Sequence, residues 1–146
     1  MLRACDIAYE NVESGRGGPF GCVIVRRGEH LAEAVNRVIE ACDPTAHAEI
    51  QALREACKRV GGIDLSDCVV YSSCEPCSMC FSALRWAGVK TIFYDKTRQD
   101  AASIGFRDDD IYDQIIERKQ DLTRVPMKLS RDAFSLWSST TQKTEY

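Results

Sequence analysis

The sequence predicts a single α/β layered domain with a mixed sheet, and three observations carry that prediction. Short apolar runs of strand character alternate with longer segments of helical period. Glycine and proline clusters fall between these segments rather than within them. The 146 residues suffice for one core, burying about two-thirds of the unfolded surface without disulfide staples.

The first element is an amphipathic helix over residues 2–13, read from Leu2, Cys5, Tyr9 and Val12 and ended by Gly15, Gly17 and Gly18. Residues 19–25 read as a buried strand, and Arg26-Arg27-Gly28-Glu29 turns the chain into a second strand over residues 30–36. Asp43 and Pro44 have the chemistry of an N-cap and a first helical residue. The helix they open carries its apolar stripe on Ile50, Leu53, Cys57 and Val60 and stops at Gly61-Gly62. A third strand covers residues 68–71. Pro76 starts a helix that ends at Gly88, with Cys80, Ala83, Leu84 and Ala87 on one side. A fourth strand covers residues 91–94, and residues 98–137 read as mainly helical, broken at Gly105 and Pro126. The Ser/Thr-rich tail, residues 138–146, has the composition of a disordered segment.

Composition narrows the function classes. The apolar fraction of 45% and charged fraction of 28% are those of an ordinary soluble domain. The net charge is −3, and basic pairs such as Arg26-Arg27, Lys58-Arg59 and Arg118-Lys119 are scattered, which argues against a nucleic-acid partner. The N-terminus meets Asp6 before any apolar leader can form, and no run approaches the ~18 apolar residues of a membrane span. The expected setting is therefore cytoplasmic and reducing. There the eight cysteines read as metal ligands or small buried side chains rather than disulfides, and Cys5, Cys22, Cys57 and Cys68 fall in apolar patterns.

The chemistry sits in two short stretches, His47-Ala48-Glu49 and Pro76-Cys77-Ser78-Met79-Cys80. Cys77 and Cys80 share one face at a helix start, where unpaired N–H groups and the helix dipole favour thiolate. His47 is the candidate nitrogen ligand, because the other of the two histidines, His30, follows a turn with no acid or cysteine beside it. Three ligands plus one spare carboxylate is the donor set of a catalytic zinc site, which keeps a position for water. Glu49, about 200° from His47 around an ideal helix, is the candidate acid/base rather than a ligand. A closed Cys₃His site using Cys74 is the rival reading, and it leaves Glu49 without a purpose. The pattern H-x-E followed by P-C-x-x-C is itself the known signature of zinc-dependent base deaminases.

On these residues the chain resembles the cytidine-deaminase superfamily. From Gly17 onward it is similar to bacterial-type guanine deaminases, through Gly17-Gly18-Pro19-Phe20-Gly21, Asn36, residues 43–49, Ser73-Cys74-Glu75-Pro76-Cys77, Asp100-Ala101-Ala102, Gly105-Phe106 and the ending Lys143-Thr144-Glu145-Tyr146. That resemblance implies a three-layer α/β/α domain over residues 1–146 with a mixed five-stranded sheet, of which the residue pattern itself gives four strands. It implies Zn2+ as cofactor and a homodimer in which residues 130–146 are swapped onto the partner. The implied activity is hydrolytic deamination of guanine to xanthine and ammonia. The alternatives are deamination of guanosine or another aminated ring, of adenosine in tRNA, or a binding module with structural zinc. Carried over by position, Asn36, Phe20 and Asp108 would contact the purine and Tyr146 would close the partner's pocket. Taken alone, these four read as a strand-end turn residue, a core aromatic, a helix N-cap and a chain end. The chain departs from the resemblance at Cys22, Ser78, Asp95 and the charged run Arg107-Asp108-Asp109-Asp110, which carries acid ahead of Ile111-Tyr112.

Overall fold

Four strands build the sheet of this computed structural model, which describes residues 1–106, 108–117, 125 and 133–139. They are β1 (Gly21–Arg26), β2 (Glu29–Val35), β3 (Cys68–Cys74) and β4 (Thr91–Lys96), in the order β2-β1-β3-β4. β1 runs antiparallel to both β2 and β3, and β3 runs parallel to β4, so the sheet is mixed. The β1–β2 hairpin is closed by Arg27 and Gly28 at φ 53° and 86°. A left-handed pair at a two-residue turn matches the twist of its strands. The helices are α1 (Leu2–Glu13), α2 (Val38–Ala41), α3 (Ala48–Val60), α4 (Ser78–Trp86), α5 (Arg98–Ser103), α6 (Asp109–Ile116) and α7 (Ala133–Ser139).

Side-chain alternation gives the sheet two working faces. Cys22, Ile24 and Val70 join Ala48, Ala52 and Ala56 of α3 and Leu84 of α4 in the larger core. Val23, flanked by Val25 and Tyr71, meets Ala4 and Ile7 of α1 on the other face. Helix, sheet and helix are thus layered as expected. Gly21 sets the α1 spacing, since a Cβ there would run into the Ala4 carbonyl.

Several expectations need correction. On α1 the buried stripe is Ala4, Ile7, Ala8 and Asn11, while Leu2 and Tyr9 are 81% and 69% exposed. Close packing over Gly21 admits small side chains and turns the large ones outward. On α3 the buried stripe is centred on Ala52 and Ala56, with Leu53, Cys57 and Val60 packed at its margin. Cys22 and Cys68 are buried, whereas Cys5 and Cys57 are half-buried.

α3 begins at Ala48, not at Pro44. The Asp43 carboxylate instead accepts from the Thr45 N–H at 2.8 Å and hydroxyl at 2.7 Å, closing a local turn ahead of the helix. α4 likewise begins two residues after Pro76. The five-stranded expectation is not met: the described residues form four strands, and past β4 they enter α5 and α6. Among the described residues no helix is long and apolar enough to cross a membrane.

Candidate active site

Both motifs open helices, and the candidate ligands His47 and Cys77 stand at the openings. His47 is the extended N-cap of α3 (φ −67°, ψ 155°) and Cys77 the extended N-cap of α4 (φ −62°, ψ 169°). Neither side chain caps its own helix. Histidine and cysteine are poor choices for a cap, where Ser, Thr, Asp and Asn lead. Their side chains converge instead on each other. His47 Nδ1 lies 3.6 Å from the Sγ of both Cys77 and Cys80, and the three donor atoms fall within 4.8 Å of one another. A tetrahedral zinc with the usual bond lengths holds a nitrogen and a sulfur about 3.5 Å apart, so the donor set fits Zn2+.

The electrostatics suit a thiolate-bound cation. Cys77 is pushed down to about 4 by the hydrogen bond from Cys80 and then by that from His47. Cys80 is raised, first by its bond to Cys77 and then by burial, and His47 is raised by Cys77. Cys74 does not join the cluster. Its thiol donates to the Thr97 carbonyl at 3.6 Å, and burial raises it to about 11. The described residues therefore offer three donors, not the four of a closed structural site.

Glu49 enters from the first turn of α3 and is 6% exposed. Because His47 is the extended N-cap and not a helical residue, the ideal-helix angle expected between it and Glu49 does not apply. Ser72, on the face of β3 shared with Val70 and Cys74, donates to Glu49 Oε1 at 3.1 Å. Burial raises the Glu49 pKa, so this carboxyl is poised to hold a proton.

A cavity of about 550 Å³ opens beside this cluster and is lined by His47, Glu49 and Cys77. Three of the four expected substrate contacts line it too. Phe20 meets Phe106 edge-on at 4.8 Å at the cavity wall and also packs against the larger core. Asn36 follows β2 at 7% exposure, its carbonyl pinned by Asn11 Nδ2 at 2.9 Å. Asp108 occupies the N-cap of α6 without capping it, and its Oδ2 lies 3.5 Å from Arg98 Nε. Tyr146 lies outside the described residues, as does segment 130–146 apart from α7. Ser72, Glu75 and Arg98 were missed as site residues. Only the period-2 register of β3 could have pointed to Ser72, and nothing local links Glu75 to Arg98 across 23 positions.

Residues 1–96 match the cytidine and deoxycytidylate deaminase zinc-binding region, and the chain belongs to this family of zinc-dependent hydrolytic deaminases. It is 44% identical to the guanine deaminase of Bacillus subtilis over 150 aligned residues, covering 100% of this chain and 96% of that protein. The X-ray structure of the Bacillus subtilis guanine deaminase superposes with a TM-score of 0.91 at 43% identity, over 99% of this chain and 95% of that one. The tRNA-specific adenosine deaminase of Aquifex aeolicus is 40% identical over 93 residues, which is 64% of this chain and 59% of that protein.

Proposed function

We propose that this chain deaminates free guanine to xanthine and ammonia. The observation that carries the reading is the match to a guanine deaminase along the whole chain, whereas the match to a tRNA deaminase covers 64% of it. The half of the site that faces the base draws on Phe106 and Asp108, beyond the family's zinc-binding region at residues 1–96. A neutral purine fits a cavity with an aromatic edge at Phe20 and Phe106, amide chemistry at Asn36 and a carboxylate at Asp108.

In this reading His47, Cys77 and Cys80 hold the zinc, which supplies Lewis-acid activation of water at neutral pH. Glu49 accepts the proton that the water loses as its oxygen bonds to C2 of the ring. Its buried carboxyl then passes that proton to a ring nitrogen, takes the second proton from the new C2 hydroxyl and delivers it to the amino group, which departs as ammonia as the C2–N bond breaks and the C2 carbonyl forms. Ser72 fixes the carboxylate for both transfers. Phe20 and Phe106 flank the ring, and Asn36 and Asp108 supply hydrogen bonds that fix its orientation. Residues 130–146 complete the domain across a swapped homodimer, with Tyr146 closing the partner's cavity. A reducing, cytoplasmic setting belongs to the same reading, because thiol ligands must stay unoxidised.

Ammonia release from guanine, guanosine, adenosine and cytosine tests the substrate, and no ammonia from guanine overturns the proposal. Glu49→Gln should retain zinc and folding while losing about 10²- to 10⁴-fold in kcat. A variant of full activity would remove Glu49 from the mechanism. Deleting Glu145 and Tyr146 should damage turnover and leave zinc in place, and an unimpaired truncation would remove the closing role of Tyr146.

A further inference from the structure

We propose that Arg98 is a positioning residue that holds Asp108 at the cavity by tying α6 to the turn ahead of the zinc-binding cysteines. The inference rests on the substrate-binding role read for Asp108 above.

The anchor is built before the guanidinium is reached. Arg98 is the first residue of α5, whose N-cap Thr97 forms a reciprocal capping box with Asp100. On the other side, the Glu75 N–H donates to the Lys96 carbonyl at 2.8 Å, next to Pro76 and Cys77. Glu75 Oε2 then accepts from the Arg98 N–H at 3.1 Å, and Oε1 accepts from Arg98 Nη2 at 3.3 Å. Backbone and side chain of Arg98 are thus both tied to the cysteine turn.

From that anchor the guanidinium reaches α6 at two places. Its Nε lies 3.5 Å from Asp108 Oδ2, and its central carbon lies 4.2 Å from the ring centroid of Tyr112. The Arg98 side chain is 14% exposed, so the pairing is sheltered and screened less than a surface ion pair. α6 needs such a tether. It is a short helix whose Ile111, Tyr112, Ile115 and Ile116 are all exposed, so burial of apolar surface does little to hold it. A planar, multi-donor cation serves two carboxylates and an aromatic face together, which a lysine ammonium does not.

The test compares the zinc-loaded chain with Arg98→Ala, Arg98→Lys, Asp108→Asn and the Arg98→Ala/Asp108→Asn double variant. Hydrogen exchange at residues 109–116 should quicken about tenfold in Arg98→Ala, with α3, α4 and zinc content unchanged. KM for guanine should rise about tenfold in the same variant while kcat stays within about twofold. In KM the double variant should be no worse than Asp108→Asn alone, because Arg98 acts on the substrate only through Asp108. Arg98→Lys should fall between wild type and Arg98→Ala, and it supplies the folded comparison should Arg98→Ala not fold. Unchanged exchange at 109–116, an unchanged KM, or additive losses in the double variant would each overturn the proposal. The exchange measurement needs no substrate. It therefore judges the tether even if guanine proves to be the wrong ring, which the ammonia assay judges separately.

Discussion

The side-chain amide of Asn11 donates to the backbone carbonyl of Asn36 at 2.9 Å and to that of Gly18 at 3.0 Å. Both acceptor residues line the cavity, while Asn11 belongs to α1, whose apolar residues pack on the sheet face opposite the larger core. One buried nitrogen therefore fixes two segments of the cavity wall from behind. Asn11→Ala should cost about 1–3 kcal/mol, since two carbonyls lose a sheltered donor. The checkable result is a lower urea midpoint at unchanged m-value, accompanied by a higher KM for guanine. A midpoint equal to that of wild type would show that the two segments hold themselves.

Gly17 occupies the space that this arrangement leaves. A Cβ at Gly17 would collide with the Asn36 carbonyl oxygen and come within 2.9 Å of Asn11 Nδ2, and the amide and carbonyl are already held by each other. Gly62, by contrast, has open space around it and no left-handed φ. Gly17→Ala should lose about 1–3 kcal/mol through forced displacement of Asn36. Gly62→Ala should be neutral or gain up to about 1 kcal/mol by restricting the unfolded chain. Thermal melts of the two variants side by side decide the point, and equal shifts would deny the crowding at Gly17.

These two positions also show what the sequence concealed. The cluster of His47, Cys77 and Cys80 was legible because metal ligation needs scarce residue types at fixed spacing, and the chain holds only two histidines. The strands and the Arg27-Gly28 hairpin were legible because pleat and turn impose their pattern locally. The buried face of α1 was not. Leu2, Tyr9 and Val12 recur at the same period as Ala4, Ile7, Ala8 and Asn11, and size favours the wrong stripe until Gly21 is known to draw the helix close. Asp43 misled for a related reason, since one carboxylate chemistry serves both an N-cap and a free-standing turn. The link of Arg98 to Glu75 and Asp108 exists only after folding has brought β3, α5 and α6 together.

Ser72 gives the clearest handle on the proposed proton shuttle. Its hydroxyl donates to Glu49 Oε1 at 3.1 Å, and it is 2% exposed, so no bulk water is at hand to replace it. A hydrogen bond to a charged group is worth roughly 1.5–3 kcal/mol, so Ser72→Ala should lower kcat about ten- to hundredfold with zinc retained. The bond also favours ionised Glu49 against burial, which raises its pKa. Removing it should raise that pKa further and move the acid limb of the kcat profile to higher pH. A variant with normal kcat and an unmoved acid limb would leave Ser72 as packing alone.

Asp43 couples the same region to pH through stability rather than catalysis. Its carboxyl is held below the usual range by the Thr45 hydroxyl first and the Thr45 N–H next, with Arg54 at 3.7 Å adding to them. A carboxyl depressed in the folded state binds its proton more readily once unfolded. The stability it contributes is therefore complete above its unfolded pKa of about 3.9 and is lost as pH falls through the lower folded value. Asp43→Asn cannot titrate, so the difference in urea midpoint between it and wild type should hold steady from about pH 6 to about pH 5 and shrink as pH falls below about 4. Because the Asp43–Thr45 turn delivers the chain to His47, two residues before Glu49, the same variant should also bind zinc more weakly at neutral pH. A midpoint difference that stays constant across the acid range would place the acid sensitivity of the fold on other carboxylates.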